Sequence, residues 1–292
     1  MLIRAGFEIS VQIDAKVPML CALSPRPDII TPVLGDGAVH TPSGALIDSY
    51  IDSFGNKVTR VDAPAGMMTL VSDFVVRDLG NPDVVVPDAR QHPIAELPDD
   101  VLRFLVASRF CESDLLSGEA WSRFGHIEGG WARAQAICDF VHGHITFGYG
   151  YGRPTKSALD AFREGNGVCR DFAHLSIALC RAMNIPARYA SGYLGDIGIA
   201  PLPDPMDFCA WFEVYLGDRW YTFDARYNTP RIGRVLMVRG LDAADVSMIT
   251  TYGRHRLRKF EVWCAELPAT QKLSEINLRT PATLEEPSSA AA

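Results

Sequence analysis

The stretch Gly165-Asn166-Gly167-Val168-Cys169-Arg170-Asp171-Phe172-Ala173-His174-Leu175 places a cysteine directly after two glycines, where a helix is predicted to begin. Apolar residues then recur at intervals of three and four, which is the spacing of one buried helical face. They are Phe172, Leu175, Leu179, Ala182 and Met183. Asn184 and Pro186 are predicted to end the helix, because asparagine tolerates a left-handed cap and proline cannot continue the helix. Cys169 therefore lies in or beside the first turn.

A cysteine at a helix start has two interpretations. The unpaired N–H groups and the helix dipole stabilise a thiolate, which is the reactive form of cysteine. Alternatively, Cys169 is a small apolar residue that packs a helix start, since free cysteine is commonly buried. The segments that follow favour the first interpretation.

A β-hairpin is predicted downstream, with strands over 207–216 and 219–226 and the two-residue turn Gly217-Asp218 between them. Glycine at the first turn position favours a type II′ turn. Alternate residues of the two strands are apolar and predict the core face of the hairpin. These residues are Phe208, Ala210, Phe212, Val214, Leu216, Tyr221, Phe223 and Ala225.

The register of this hairpin brings an acid close to a second cysteine. The turn pairs Trp211 with Asp224 and Cys209 with Arg226. Cys209 and Asp224 are then diagonal neighbours on the second face of the hairpin, about 7 Å apart. Asp224 at this position can orient the side chain at 209, or it can form a salt bridge to Arg226.

Composition bounds the class of protein. The chain has 292 residues, with 28 Lys and Arg against 35 Asp and Glu, and a net charge of −7. An acidic chain without a basic block does not favour nucleic acid or an anionic membrane as a partner. No apolar run approaches the ~18 residues of a membrane span, and residues 1–4 lack a signal-peptide pattern, so a cytoplasmic protein is expected. The oligomeric state is not predicted.

The cysteines favour reduced thiols over a disulfide framework. There are seven of them, an odd number, scattered at positions 21, 111, 138, 169, 180, 209 and 264. Neither a Cys-x-x-Cys pair nor a His-Glu-x-x-His motif occurs. We therefore predict no metal site and no cofactor.

The chain is predicted to form two domains and a tail. Residues 1–95 are predicted to form an N-terminal β accessory domain of the sandwich type, with a regular apolar–polar alternation over 7–14. Four prolines between 82 and 98 mark the boundary. Helical and strand patterns then follow over 96–267. Residues 268–292 are rich in Ser, Pro, Ala and Glu and are predicted to be a disordered tail.

Several motifs in order resemble the bacterial transglutaminase-like family, whose members are often named cysteine proteases. The resemblance covers about 95 to 265 and is carried by 167–174, 185–188, 192–193, 207–213 and 220–225. It implies an α+β fold in which a β-sandwich-like domain precedes a papain-like core, with a helix packed on an antiparallel sheet. It also implies a hydrolase or acyltransferase that acts on peptide or protein amides.

The resemblance further implies a Cys-His-Asp triad. In such a triad the histidine takes the thiol proton, the thiolate attacks an amide carbonyl, and the aspartate holds the imidazole. Carried over by position, Cys169 is the nucleophile and Asp224 is the orienting acid. The N–H of Cys169 is a candidate donor to the oxyanion.

One position departs from the family. Cys209 stands where the family has its histidine, before Ala210-Trp211. A thiol has an unperturbed pKa of ~8.5 against ~6.5 for imidazole, so it is a poorer proton acceptor near neutrality. No other histidine has a motif around it that would replace the missing base. The candidates are His126, His142, His144, His174 and His255.

Three functions therefore stay open. The first is acyl transfer through Cys169, as a cysteine peptidase, amidase or transglutaminase with an altered base. The second is a catalytically impaired relative that uses the same cleft to bind peptides or another protein. The third is a thiol site in which Cys169 and Cys209 form a disulfide or, with Asp224, hold a soft metal.

Overall fold

The computed structural model describes residues 1–42 and 44–280. These residues form antiparallel sheets and a few helices, so the α+β fold class predicted from the sequence is confirmed. None of the helices in the described ranges is long and apolar enough to cross a membrane.

The elements follow one another along the chain in this order. Six strands come first: β1 (Leu2–Ile13), β2 (Val17–Cys21), β3 (Pro32–Leu34), β4 (Leu46–Ile51), β5 (Lys57–Ala63) and β6 (Gly66–Arg77). A mixed region contains α1 (Asp99–Leu102), α2 (Ser117–Phe124), α3 (Trp131–His144), β7 (Thr146–Phe147), α4 (Ala158–Glu164), β8 (Asn166–Gly167) and α5 (Cys169–Ala182). The last strands are β9 (Ala187–Leu194), β10 (Cys209–Leu216), β11 (Arg219–Phe223), β12 (Arg234–Gly240), β13 (Ile249–Thr251) and β14 (His255–Glu266).

The N-terminal strands form two four-stranded antiparallel sheets, with the orders β14-β1-β6-β3 and β13-β2-β5-β4. Both sheets therefore include a strand from the far end of the sequence. The predicted core domain of 96–267 included these last two strands, but 249–251 and 255–266 pair with the N-terminal strands instead. Apolar alternation identifies a strand without naming its partner, and this pairing is non-local.

The predicted disordered tail is partly ordered. The N–H of Arg279 donates to the Asp73 carboxylate at 2.7 Å, and its guanidinium pairs with Glu8 and Glu261. Residues 277–279 therefore contact the sheet that contains β1, so this part of the predicted tail is held against the fold. Residues 281–292 lie outside the described residues. The composition that suggested disorder is concentrated in this last part.

The core sheet has the order β11-β10-β9-β12, and α5 packs against β9 and β10. The hairpin has the predicted register, since Phe212 pairs with Phe223 and Leu216 with Arg219. The turn is of type I′ instead of the expected type II′, because both Gly217 and Asp218 have positive φ, at 50° and 67°. Aspartate tolerates this left-handed conformation better than most residues.

Both faces of β10 are buried, not only the predicted core face. On the second face, Tyr215 packs with Val101 of α1 and with Leu97, which lies just before α1. Trp211 lies under the guanidinium of Arg234, at 4.8 Å from the ring centroid. The second face is therefore an internal layer.

Candidate active site

The start of α5 is fixed by the tight turn that precedes it. A side chain at Gly167 would come within 2.7 Å of Asp171, so only glycine fits there without a shift. The buried carboxylate of Asp171 accepts a hydrogen bond from the N–H of Val168 at 3.0 Å. These contacts place Cys169 at the first position of a 14-residue helix, as the sequence predicted.

The sulfur of Cys169 is surrounded by groups from the beginning of β10. It lies 3.9 Å from the carbonyl oxygen of Phe208. The pKa of Cys169 is lowered, chiefly by a hydrogen bond from the thiol of Cys209, and burial opposes this effect. The N–H of Ala210 and the positive charge of Arg226 also lower the pKa. These surroundings therefore make Cys169 easier to ionise than an ordinary thiol.

Cys209 shows the opposite behaviour. Its thiol is buried, and its hydrogen bond to Cys169, its burial and the negative charge of Asp224 all raise its pKa well above the ordinary value. Of the two thiols, Cys169 is therefore the one that ionises more readily. The structure thus brings Cys169, at the start of α5, close to Cys209, at the start of β10.

Asp224 lies directly after β11, and its carboxylate is buried and fully engaged. Oδ1 accepts the N–H groups of Arg226 and Tyr227, at 3.1 and 3.3 Å. Oδ2 accepts a hydrogen bond from Arg234 at 3.0 Å. The salt bridge considered at the sequence level is therefore made to Arg234, while Arg226 contributes its backbone.

Two further charged residues, Arg226 and Asp207, lie near the thiols and were not among the site residues predicted from the sequence. The guanidinium of Arg226 stacks at 3.6 Å on the ring centroid of Phe147, and its charge acts on both thiols. Its pairing position opposite Cys209 in the hairpin register is the signal that points to it. Asp207 lies close to Cys169, and burial raises the pKa of its carboxyl group.

A cavity of about 610 Å³ opens at Cys169. One wall belongs to the core domain and includes Tyr149, Tyr189 and Phe208. The opposite wall comes from β1, β13 and β14 and is mostly apolar; it includes Ile9, Val11, Ile249, Leu257 and Phe260. The N-terminal sheets therefore help to shape the cleft. The sequence did not indicate this role, because it depends on the non-local pairing of β14 with β1.

The histidines do not replace the missing base in this arrangement. His174 is fully buried, stacks on Phe110 and accepts the N–H of Ala243 at 3.1 Å. All seven histidines belong to the described residues, and among them only His255 lines the cavity, on the wall opposite the hairpin. The sulfur of Cys169 instead lies at the start of β10, 3.9 Å from the carbonyl oxygen of Phe208 and next to Cys209.

The hypothesis of a disulfide or metal site at Cys169 and Cys209 depends on the state and grouping of the cysteines. The seven cysteines are all free thiols. Within residues 1–42 and 44–280, no group of three or more His, Cys, Asp or Glu side chains is arranged to hold a metal ion. Cys169, Cys209 and Asp224 thus form a thiol pair with a neighbouring acid, and not a three-ligand cluster.

Comparison with known proteins places these residues in a family context. Residues 125–225 match the model of the transglutaminase-like superfamily. The crystal structure of a "putative cysteine protease" from Cytophaga hutchinsonii is similar over 93% of this chain and 92% of that chain, with 28% identity and a TM-score of 0.80. An uncharacterised protein of Mycobacterium leprae is 36% identical over 95 residues, which are 32% of this chain. The match spans about a third of that relative, 34% of its length.

These similarities confirm the resemblance read from the motifs. The family match contains Cys169, Cys209 and Asp224. The structural match extends over most of the chain and thus includes the N-terminal sheets. The chain is therefore similar to transglutaminase-like proteins and cysteine proteases in its fold.

Proposed function

We propose that this protein transfers acyl groups from amide or peptide substrates through the thiol of Cys169. One observation carries the proposal: the sulfur of Cys169 lies at a helix start and at a cavity, with hydrogen bonds from Cys209 and Ala210 that favour its thiolate. A thiolate in an accessible, positively charged environment is a nucleophile.

The first step is attack of the Cys169 thiolate on the substrate carbonyl. The developing oxyanion needs donors that are already in place. The N–H of Cys169 is available, because the first N–H groups of a helix have no partner within the helix. The helix start therefore supplies both the nucleophile and a candidate oxyanion donor.

The second step is departure of the amine, which needs a proton. In this proposal Cys209, whose pKa is raised, is the proton donor in place of the histidine that the resemblance implies. Its raised pKa makes it a weak acid, so amine departure is the difficult step in this chain. We therefore expect acylation of Cys169 with slow turnover, followed by transfer of the acyl group to water or to a primary amine.

The proposal is tested by incubating the protein with fluorogenic peptide amides, and with a glutamine peptide plus a fluorescent primary amine. We expect slow product release and an acyl adduct on Cys169 in the intact-mass spectrum, both abolished in Cys169→Ser. Cys264→Ser is the matched control, because it removes a buried thiol from β14 without touching the site. Product formation that persists in Cys169→Ser contradicts the proposal.

A second candidate function is peptide binding without turnover. It is favoured by the thiol at position 209, because replacement of a triad histidine removes most general-base assistance. Under this alternative, the peptides bind in the cavity with equal affinity to the natural chain and to Cys169→Ser, and no acyl adduct forms. Titration of a labelled peptide, with the mass spectrum recorded on the same samples, separates the two functions.

A further inference from the structure

We propose that Cys169 and Cys209 form a peroxide-reactive dithiol, which hydrogen peroxide converts into a Cys169–Cys209 disulfide. This activity goes beyond acyl transfer, because it needs no acyl substrate. It follows from the replacement of an imidazole by a second thiol next to the nucleophile.

The first requirement is one thiol that reacts before the others. Six of the seven cysteines are buried, whereas Cys169 is partly exposed and lines the cavity. Burial raises the pKa of Cys21, Cys111 and Cys264 to about 12, so these thiols stay protonated. Oxidation follows thiolate character and access, so Cys169 is the site where peroxide reacts.

The second requirement is a resolving thiol within reach. The sulfur of Cys169 lies 3.9 Å from the carbonyl oxygen of Phe208, and Cys209 is the next residue along the chain, so the two thiols lie close together where the start of α5 meets the start of β10. A disulfide brings the Cβ atoms to about 3.5–4.5 Å, and we expect these neighbouring thiols to reach this geometry through side-chain rotation. The guanidinium of Arg226 acts on both sulfurs and stabilises whichever one is anionic.

The chemistry balances with hydrogen peroxide as the oxidant. The Cys169 thiolate attacks one peroxide oxygen, the O–O bond breaks, and Cys169 becomes a sulfenic acid while hydroxide leaves. That hydroxide takes the proton of the Cys209 thiol and becomes water. The Cys209 thiolate then attacks the Cys169 sulfur, the S–S bond forms, and a second hydroxide leaves. The two sulfurs lose two electrons together, and peroxide gains them.

The disulfide would also switch off the proposed acyl transfer, because the nucleophilic sulfur is then bonded to Cys209. A thiol reductant would restore it. We expect Cys169 to react with peroxide first and the buried Cys209 to attack the oxidised sulfur afterwards. This order depends on the positions of the two thiols and not on the identity of the acyl substrate.

The test treats the full chain with one equivalent of hydrogen peroxide and maps its cysteines by mass spectrometry. We expect a cross-link between the peptides of Cys169 and Cys209, reversed by a thiol reductant. In Cys209→Ser the cross-link disappears, and a cyclic diketone probe captures the sulfenic acid on Cys169. Cys209→Ala gives the same result if serine disturbs the fold. Cys138→Ser, which removes a buried thiol of α3, leaves the cross-link unchanged.

Three outcomes overturn the inference. One is over-oxidation of Cys169 in the natural chain to the same extent as in Cys209→Ser. Another is a disulfide that joins either cysteine to a different partner. The third is an unreacted Cys169 after peroxide treatment of the folded protein. All three are read without an acyl substrate, so failure of the dithiol and failure of acyl transfer remain distinguishable.

Discussion

The guanidinium of Arg234 donates a hydrogen bond to Oδ2 of Asp224 at 3.0 Å, and both side chains are buried. Arg234 also forms a salt bridge with Asp83, so it links the acid of the site to the segment that covers the core sheet. The carboxylate of Asp224 is therefore held in place without an imidazole partner.

A buried ion cluster on the same sheet should be important for stability. Glu213 is buried and pairs with Arg188 at 2.6 Å and with Arg239 at 2.8 Å. Glu213→Ala leaves two enclosed guanidinium groups without their shared anion, and we expect a loss of about 3–5 kcal/mol in the free energy of unfolding. Urea denaturation of the variant measures this loss.

The matched control for this prediction is Glu119→Ala, which breaks an exposed pair with Arg123 at 3.0 Å. Exposed pairs contribute about 0–1 kcal/mol, so the midpoint of unfolding should hardly change. Similar losses of unfolding free energy in Glu213→Ala and Glu119→Ala would show that the buried cluster stabilises the fold no more than the exposed pair does.

His174 should make the protein sensitive to acid. It is fully buried, and burial lowers its pKa to about 3, against an ordinary value of ~6.5. Asp242 opposes this shift, whereas Arg170 and Arg181 act in the same direction. Between these two pKa values the unfolded chain binds a proton that the folded protein excludes. The stability contribution of His174 is therefore complete above pH 6.5 and is lost as the pH falls toward 3, by about 1.4 kcal/mol per pH unit.

Denaturation curves at several pH values between 7 and 4 measure this loss. His174→Gln, whose side-chain oxygen can still accept the N–H of Ala243, has no group that titrates in this range. Its stability should depend less steeply on pH than that of the natural chain. Parallel pH profiles for the two proteins would exclude His174 as the source of the acid sensitivity.

The elements that the sequence predicted well are those with local causes. The helix from Cys169 follows from apolar spacing, and the pairing of Phe212 with Phe223 follows from a two-residue turn between alternating strands. The same register predicts that Asp224 lies on the face of Cys209. The predicted type II′ turn was wrong, because a Gly-Asp pair is compatible with more than one kind of tight turn and the structure has type I′.

The features that escaped prediction depend on contacts between distant parts of the chain. Arg234 binds Asp224 from β12, a strand that pairs with β9 and is not adjacent to β11. β14 joins the first sheet through β1, and Arg279 follows it onto the same sheet. Periodicity and turn residues describe each segment separately, so they do not reveal which segments meet. The apolar wall of the cavity was missed for the same reason.

The hydrogen bond from Cys209 should control the reactivity of Cys169. It is the main cause of the lowered pKa of Cys169. In Cys209→Ala this donor is lost, so the pKa should rise and alkylation of Cys169 near neutral pH should slow. In Cys209→Ser a hydroxyl donor remains, and the rate should stay closer to that of the natural chain. The measurement is the rate of iodoacetamide labelling at Cys169 as a function of pH.

The direction in which the pH profile of Cys169 alkylation moves can be predicted. The thiolate reacts with iodoacetamide, so lowering the pKa moves the rise of the rate to lower pH. Cys209→Ala should move that rise back toward the ordinary thiol value of ~8.5. A profile for Cys209→Ala that coincides with that of the natural chain would mean that Ala210, Arg226 and the helix start are sufficient to stabilise the thiolate.

The last prediction concerns the base itself: Cys209→His should raise amidase or transamidase activity. Imidazole at this position would lie beside Asp224 and could form a thiolate–imidazolium pair with Cys169. It would also protonate the leaving amine far more readily than a thiol with a raised pKa. General acid–base assistance contributes roughly 10²- to 10⁴-fold, and we expect a gain in kcat/KM of that order. Hydrolysis of the fluorogenic peptides and amine incorporation into a glutamine peptide measure it.

Two further variants make the result interpretable. Adding Cys169→Ala to Cys209→His should abolish the gain, because the nucleophile is then missing. Adding Asp224→Asn should reduce it, because an amide orients the imidazole less well than the carboxylate, and the pair with Arg234 is also weakened. If the natural chain is already fast, is unchanged by Cys209→His and is inactive in Cys169→Ala, another group serves as the base. The assignment of position 209 as the limiting feature would then be wrong.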